Sequence, residues 1–280
     1  MVSYKHLKID DKGNLIISYL SNPPTHTLTA LGLVEIHNFL DSLVGNKELR
    51  VLAFTGVGED VFIRHYEVGE LADAAEKNIR LEKEANKSDK ELNKELHGFH
   101  KMLLKIRDLD AIVIAGIHGN TAGGGCEFSL GCDLRVMSKA AIMTTAFARV
   151  GFSGDYGGSY FMTQLIGSAK ARELYMLSDR VSAEEALDLG LANWICEPEE
   201  LMDKTMDLAD LIAFNPAWQL GEIKRMIRDH QFMDDPARVM EIESDIFSQS
   251  QLTDAHKEFL VSFRENRQTN YHQMSSYTNL

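Results

Sequence analysis

Two acidic residues stand in glycine-rich turns of this chain. Glu127 follows Gly123-Gly124-Gly125-Cys126, and Asp155 lies within Gly154-Asp155-Tyr156-Gly157-Gly158. A carboxylate can take up or release a proton beside a reacting atom. Glycines let a ligand approach main-chain N–H groups with no Cβ in the way. The residues after Glu127 (Phe128, Leu130) are apolar and compatible with a helix, so the glycines lead into a helix start. The first N–H groups of a helix are unpaired and its dipole end is positive. Donors for a developing negative charge, with a carboxylate one turn away, are what proton transfer beside a carbonyl requires. The same glycines also suit a turn where a helix packs closely on a sheet, and Gly-Asp-x-Gly is a common turn sequence. Residue types and spacing alone leave both readings open.

The elements that must position these residues alternate along the chain. Stretches 4–9 and 15–20 read as a hairpin around Gly13, and a helix follows Thr29. Residues 50–55 and 111–117 are apolar runs that read as buried strands, the second ending at the three glycines. Phe62 to Tyr66 forms a loop entering a helix near Glu67. Residues 75–94 are rich in Lys, Glu and Asn. They read as a solvated helix with i,i+4 charge pairs, with a mobile flap as the other reading. Helical spacing over 96–106 leads into the strand at 111–117. Residues 132–137, 142–147 and 191–196 read as further short strands. Helices are expected over 169–177, 183–189, 201–214, 219–229, 236–247 and 254–264, with a capping-box spacing at Ser182 and Glu185. The end, 268–280, is polar and expected to be loose.

With 280 residues the chain can bury one large core or a core plus a small appended domain. Its formal net charge of −13 argues against nucleic acid or anionic membrane as a partner. No apolar run is long enough to span a bilayer, and the N-terminal residues carry no apolar signal region. A cytoplasmic protein is expected. Three cysteines, Cys126, Cys132 and Cys196, form neither a disulfide framework nor a zinc pattern and read as small buried groups. No metal site is expected. There is no Gly-x-Gly-x-x-Gly fingerprint behind the first strand and no phosphate-binding Walker loop.

Several ordered blocks together resemble the crotonase superfamily, the enoyl-CoA hydratase/isomerase family. They are 50–56 followed by Phe62, then 112–133 with Gly123-Gly124-Gly125-Cys126-Glu127 and Cys132-Asp133, then Gly157-Gly158-Ser159. Gly167-Ser168-Ala169-Lys170-Ala171, 179–186 with Gly190-Leu191, and Asp254 with Lys257-Glu258 and Phe263 complete the set. The resemblance implies an α/β fold, a spiral of repeated β-β-α turns. It places the spiral and its acyl-CoA site in 1–200 and a helical oligomerisation region in 201–280. It implies acyl-CoA thioester substrates, assembly as a homotrimer or dimer of trimers, and no cofactor beyond the coenzyme A of the substrate. Two backbone N–H groups, by position those of Tyr66 and Gly124, would hold the thioester oxygen as it gains enolate charge. The family's usual Ala-Gly-Ala-Asp loop is replaced here by Ile63-Arg64-His65-Tyr66-Glu67. Arg64 and His65 are candidate contacts to the CoA phosphate and the substrate.

The carboxylates depart from the hydratase pattern. Hydratases of this family hold one water between two glutamates. The first matches Glu127, and the second falls twenty residues on, at Phe147, whose ring cannot carry a proton. Asp155 stands where the hydratases usually have Gly or Ala and where several isomerases have Asp. A nucleophilic role for such an Asp needs a tryptophan nearby, and Trp194 and Trp218 lie far downstream. Were both acids to face one apolar pocket, desolvation and repulsion would raise the proton affinity of at least one. Phe147 and Tyr156 are expected to line the acyl pocket, and Lys224 and Phe263 to contact CoA; Asn266 stands where a lysine is usual. The implied activity is double-bond isomerisation by Asp155 with Glu127 assisting. An enoyl-CoA hydratase using both acids and a non-catalytic acyl-CoA-binding scaffold are the alternatives.

Overall fold

The computed structural model describes residues 3–57, 61–84 and 98–271. Strands β1 (Leu7–Asp11) and β2 (Leu15–Leu20) form the expected antiparallel hairpin at the edge of the larger sheet. The parallel strands β3 (Val51–Gly56), β4 (Ile112–Ile117), β6 (Leu134–Ser138) and β9 (Trp194–Cys196) continue it in the order β1-β2-β3-β4-β6-β9. A smaller sheet, ordered β5-β7-β8, is built from β5 (Thr121–Ala122), β7 (Ile142–Thr144) and β8 (Val181–Ser182). The passes β4-β5 and β6-β7 each give one strand to the large sheet and the next to the small sheet and return through a helix, which is the β-β-α turn that the resemblance implies.

β3 is buried along its whole length because helices cover both faces of the sheet, so its sequence is a continuous apolar run rather than an alternating one. On one face Leu52, Phe54, Val113 and Ala115 meet helices α1 (Ala30–Leu43) and α3 (Gly98–Asp108) through Ile36, Leu40, Phe99 and Ile106. These apolar residues recur at helical spacing, and Thr29 caps α1 by accepting from the Gly32 N–H at 3.0 Å. On the other face Val51, Ile114 and Val136 meet Leu201, Ala209 and Ala213 of α7 (Leu201–Ala213). The helical region therefore begins by closing the core. Helices α8 (Ala217–His230), α9 (Pro236–Ser250) and α10 (Asp254–Glu265) follow it.

Local structure departs from the sequence reading in some places and follows it in others. Residues 142–147 do not stay extended: β7 stops at Thr144, Ala146 adopts a φ of +59°, and Phe147–Val150 coils into a 3-10 turn. The helix expected at 169–177 starts earlier, at Gly158, in α5 (Gly158–Leu177), which is interrupted at Gly167. The charged stretch begins in helix α2 (Val68–Glu84), and its remainder, 85–94, lies outside the described residues. Of the tail expected to be loose, the part up to Tyr271 is held, because Arg50 donates to the Tyr271 carbonyl at 2.7 Å; 272–280 lie outside the described residues. All three cysteines are buried and none is in a disulfide. Among the described residues no helix is long and apolar enough to cross a membrane.

Candidate active site

β4 delivers the chain through β5 to helix α4 (Gly124–Leu130), with Gly123 at its N-cap. The 61–66 segment is clipped along this turn. Thr121 Oγ1 donates to the Ile63 carbonyl at 2.8 Å, the Ala122 N–H donates to the Arg64 carbonyl at 2.9 Å, and Val61 bridges Asn120. From its other side Leu28 donates to the His65 carbonyl and accepts from the Glu67 N–H, each at 2.8 Å. In a parallel bridge of this kind the N–H of the middle residue, Tyr66, points away from Leu28. The N–H of Gly124 is in the first turn of α4, where helices leave donors unpaired. Neither N–H has a protein acceptor among the described residues. The two donors expected from the sequence are thus on neighbouring segments, both available. Gly125 permits the approach: a Cβ there would lie 2.2 Å from the Ile63 carbonyl oxygen.

Glu127 sits one turn after Gly124 with only 1 % of its surface exposed. Its Oε1 accepts from the Tyr175 hydroxyl at 2.5 Å and its Oε2 from the Tyr156 N–H at 3.0 Å, with the Gly158 N–H adding a third donor. The carboxyl therefore faces the N-terminus of α5. Gly158 makes room for it, since a Cβ at that position would lie 2.2 Å from Glu127 Cγ. Burial pushes the Glu127 carboxyl up to about 7, the charge of Asp155 adds to the rise, and the three donors oppose it. A carboxyl in that range can both accept and return a proton near neutral pH.

The two acids are not equivalent. The Asp155 side chain is 65 % exposed, its Oδ1 lies 3.5 Å from His100 Nε2, and the same imidazole nitrogen donates to the Asp155 carbonyl. The two acids expected to face one apolar pocket part ways: Glu127 is buried, and the Asp155 side chain lies toward the surface beside a histidine. Phe147 is buried and stacks on Tyr175, with ring centroids 6.4 Å apart and planes 9° from parallel. The Tyr156 ring lies over Gly124, packed on Phe99 at 4.2 Å and facing Tyr66 and Phe147 at 6.3 Å each. Phe147 and Tyr156 thus line the same space as Glu127, beside the two N–H donors.

The outer candidates are more dispersed. Arg64 is exposed, and His65 is half-buried with Nδ1 donating to the Tyr66 carbonyl at 2.7 Å. Phe263 is 74 % exposed on α10. Lys224 requires correction. Its buried ammonium donates to the carbonyls of Ile106 and Ala111, each at 3.0 Å, and pairs with Asp133 at 2.7 Å. All three donors are used, so none is left for a CoA phosphate; Lys224 instead ties α8 to the turn between α3 and β4. Lys224→Ala would leave Asp133 half-buried without its partner and should cost about 3–5 kcal/mol of stability. Thermal unfolding should drop while the KM for an acyl-CoA stays near that of the parent.

Two residues of the site were not anticipated, Tyr175 and His100. Tyr175 is separated from Glu127 by 48 positions, and its helix carries no local pattern that marks it. Among the described residues no group of three or more His, Cys, Asp or Glu side chains is placed to hold a metal ion.

The chain matches the enoyl-CoA hydratase/isomerase family over residues 11–274. It is 24 % identical to a crotonyl-CoA hydratase of Syntrophomonas wolfei over 272 residues, covering 96 % of this chain and 99 % of that protein. It is 31 % identical to a carnitinyl-CoA dehydratase of Salmonella paratyphi A over 222 residues, 79 % of this chain and 80 % of the relative. In fold it is similar to the crystal structure of an enoyl-CoA hydratase from Bacillus anthracis, with a TM-score of 0.85, 24 % identity, and 96 % and 100 % of the two chains covered. The match spans both sheets, the glycine turn with Glu127 and the three C-terminal helices, so the chain belongs to the enoyl-CoA hydratase/isomerase family.

Proposed function

We propose that this family member is an enoyl-CoA isomerase in which one carboxyl, that of Glu127, carries the proton. The thioester oxygen sits between the N–H groups of Tyr66 and Gly124. Glu127 removes a proton from C-2 of a 3-enoyl thioester, and the electron pair moves into the thioester carbonyl as a dienolate held by the two donors. The same carboxyl returns the proton at C-4, leaving a 2-enoyl thioester. Oxyanion donors of this kind contribute on the order of 3 kcal/mol each in a water-poor site.

The observation that carries the reading is the asymmetry of the acids. Among the described residues a single carboxyl is buried beside the donors, poised near neutral pH, while an aromatic ring fills the position of the second acid and the Asp155 side chain is exposed beside His100. Water addition needs a second group to orient and deprotonate the water, whereas a proton shuttle needs one base. Asp155 acts on this reading through its charge, which strengthens the proton affinity of Glu127. The hydratase reading draws support from the names of the relatives, a hydratase and a dehydratase.

Turnover of a 3-enoyl-CoA in ¹⁸O-labelled water separates the two. The isomerase yields 2-enoyl-CoA without label; a 3-hydroxyacyl-CoA carrying ¹⁸O as the main product would overturn the assignment. Assembly as a trimer or dimer of trimers is supported by apolar side chains exposed on α8 to α10, among them Ile227, Phe247 and Phe263. Sedimentation at the mass of a trimer or hexamer is the expected result.

A further inference from the structure

The shortest hydrogen bond to Glu127 comes from a residue outside the glycine motif. Tyr175, on the third turn of α5 after Gly167, places its hydroxyl 2.5 Å from Glu127 Oε1. Its ring stacks on Phe147, the residue standing where the sequence pattern calls for a second acid. The second acid's position is therefore occupied by a ring that braces a phenol, and the phenol reaches the first acid. A phenol and a carboxylate compete for the same proton. With the carboxylate buried beside it, the Tyr175 hydroxyl is pushed well above its usual range, by burial first and by the charge of Glu127 second. It stays protonated and acts as a donor.

A buried carboxylate is hard to keep ionised. Here burial and Asp155 favour the neutral acid, and the donors from Tyr175, Tyr156 and Gly158 favour the anion. Two of those donors are main-chain groups set by the N-terminus of α5. Tyr175 is the side-chain donor, and it also fixes one lone-pair direction of Oε1, leaving the other for an incoming proton. We propose that Tyr175, braced by Phe147, is the positioning residue that holds the Glu127 carboxylate in its proton-accepting form and orientation. The proposal rests on the reading of Glu127 as the proton carrier.

The groups facing Glu127 are Tyr175 from α5, Tyr156 and Asp155 from the preceding loop, His100 from α3 through its pair with Asp155, and Cys126 from its own helix. Removing the hydroxyl changes one of them. A hydrogen bond to a charged group is worth enough to move a titration by about one to two pH units.

Tyr175→Phe should shift the acidic limb of kcat/KM upward by that amount. At pH 6 this reads as a loss of about tenfold to a hundredfold, shrinking as the pH rises, with KM little changed. A purely structural role would lower the profile evenly and leave the limb in place. The carboxyl band of Glu127, followed by infrared difference spectroscopy against Glu127→Gln, should titrate at correspondingly higher pH in Tyr175→Phe. That measurement needs no turnover, so it stands apart from the isomerase assignment: labelled product would sink that assignment, while an unmoved carboxyl band would sink this one. Phe147→Leu keeps all three donors but removes the brace, and should shift the band in the same direction by less. Coincident titrations in the parent and Phe147→Leu, with Tyr175→Phe either coincident or unable to fold, would overturn the proposal.

Discussion

Glu127→Gln is expected to lower kcat by about 10³- to 10⁴-fold while leaving a folded protein that still binds acyl-CoA. The magnitude is the upper range for a general acid–base group, and it applies because no other buried carboxyl stands beside the two N–H donors among the described residues. Asp155→Asn should cost far less, since the Asp155 side chain is largely exposed and reaches the reaction only through its charge. Removing that charge lowers the proton affinity of Glu127, so the acidic limb of the pH profile should move to lower pH. Steady-state rates on a 3-enoyl-CoA test the pair. An Asp155→Asn loss equal to that of Glu127→Gln would return Asp155 to the centre of the chemistry.

The same substitution has a consequence for stability whose sign is the reverse of the usual effect of a paired acid. The ordinary value for a glutamate here is 4.5, and in the folded protein Glu127 is raised to about 7. The folded state thus holds its proton more tightly than the unfolded chain. Below the ordinary value both states are protonated and the folded state bears no penalty. As pH rises through the window between the two values the penalty grows, and above about 7 it is complete, at roughly 3 kcal/mol. A glutamine is neutral throughout and escapes it. Its amide can keep an oxygen toward the Tyr156 N–H only by turning its NH2 to the Tyr175 hydroxyl, which then loses its acceptor, a cost of about 1–3 kcal/mol that does not vary with pH. The unfolding free energy of Glu127→Gln minus that of the parent should therefore increase by about 3 kcal/mol from pH 4.5 to pH 8. A flat difference would mean that the carboxyl ionises normally in the folded state. It would remove the argument that burial poises Glu127 for proton transfer.

Legibility in the sequence followed chain distance. Gly124, Gly125 and Glu127 fall within one turn, so their joint chemistry could be read from adjacent letters. The apolar run at β4 and the helical spacing of α1 and α3 were legible for the same reason: periodicity is local. Tyr175 was not, because its relation to Glu127 exists only once α5 has folded back across α4. Asp155 was found as a residue but not as an orientation. Its neighbour Tyr156 turns its N–H inward to Glu127 while the Asp155 side chain turns outward to His100, and a one-residue difference in a turn leaves no trace in composition. Lys224 shows the converse error. A basic residue on an amphipathic helix suits an anionic ligand, and only the positions of three acceptors, two of them main-chain carbonyls from a distant turn, reveal that it is already spent.

Gly125→Ala should be nearly as damaging to turnover as the loss of one oxyanion donor, about 10²- to 10³-fold in kcat, though it removes no polar group. By helix propensity the change should be favourable by about 1 kcal/mol. The surroundings decide otherwise. The added Cβ would lie 2.2 Å from the Ile63 carbonyl oxygen and 2.7 Å from Thr121 Oγ1, the two atoms whose hydrogen bond clips the 61–66 segment to the glycine turn. One of them is backbone, so no rotamer change relieves the contact. The segment must draw back by about an ångström to reach ordinary van der Waals distance, and the Tyr66 N–H three residues on moves with it. Overpacking of this kind costs about 1–3 kcal/mol, which a protein of ordinary stability survives, so the variant can be purified and assayed. Gly69→Ala, where the nearest atom is the Glu67 Oε1 at 3.7 Å, supplies the control and should be neutral or slightly stabilising. The two variants separate the glycine's role from its residue type: the same methyl group is tolerated where the helix faces open space and disables the site where it parts two N–H donors. Full turnover in Gly125→Ala would show that the donors do not need to converge, and the Tyr66 N–H would then lose its place in the reaction.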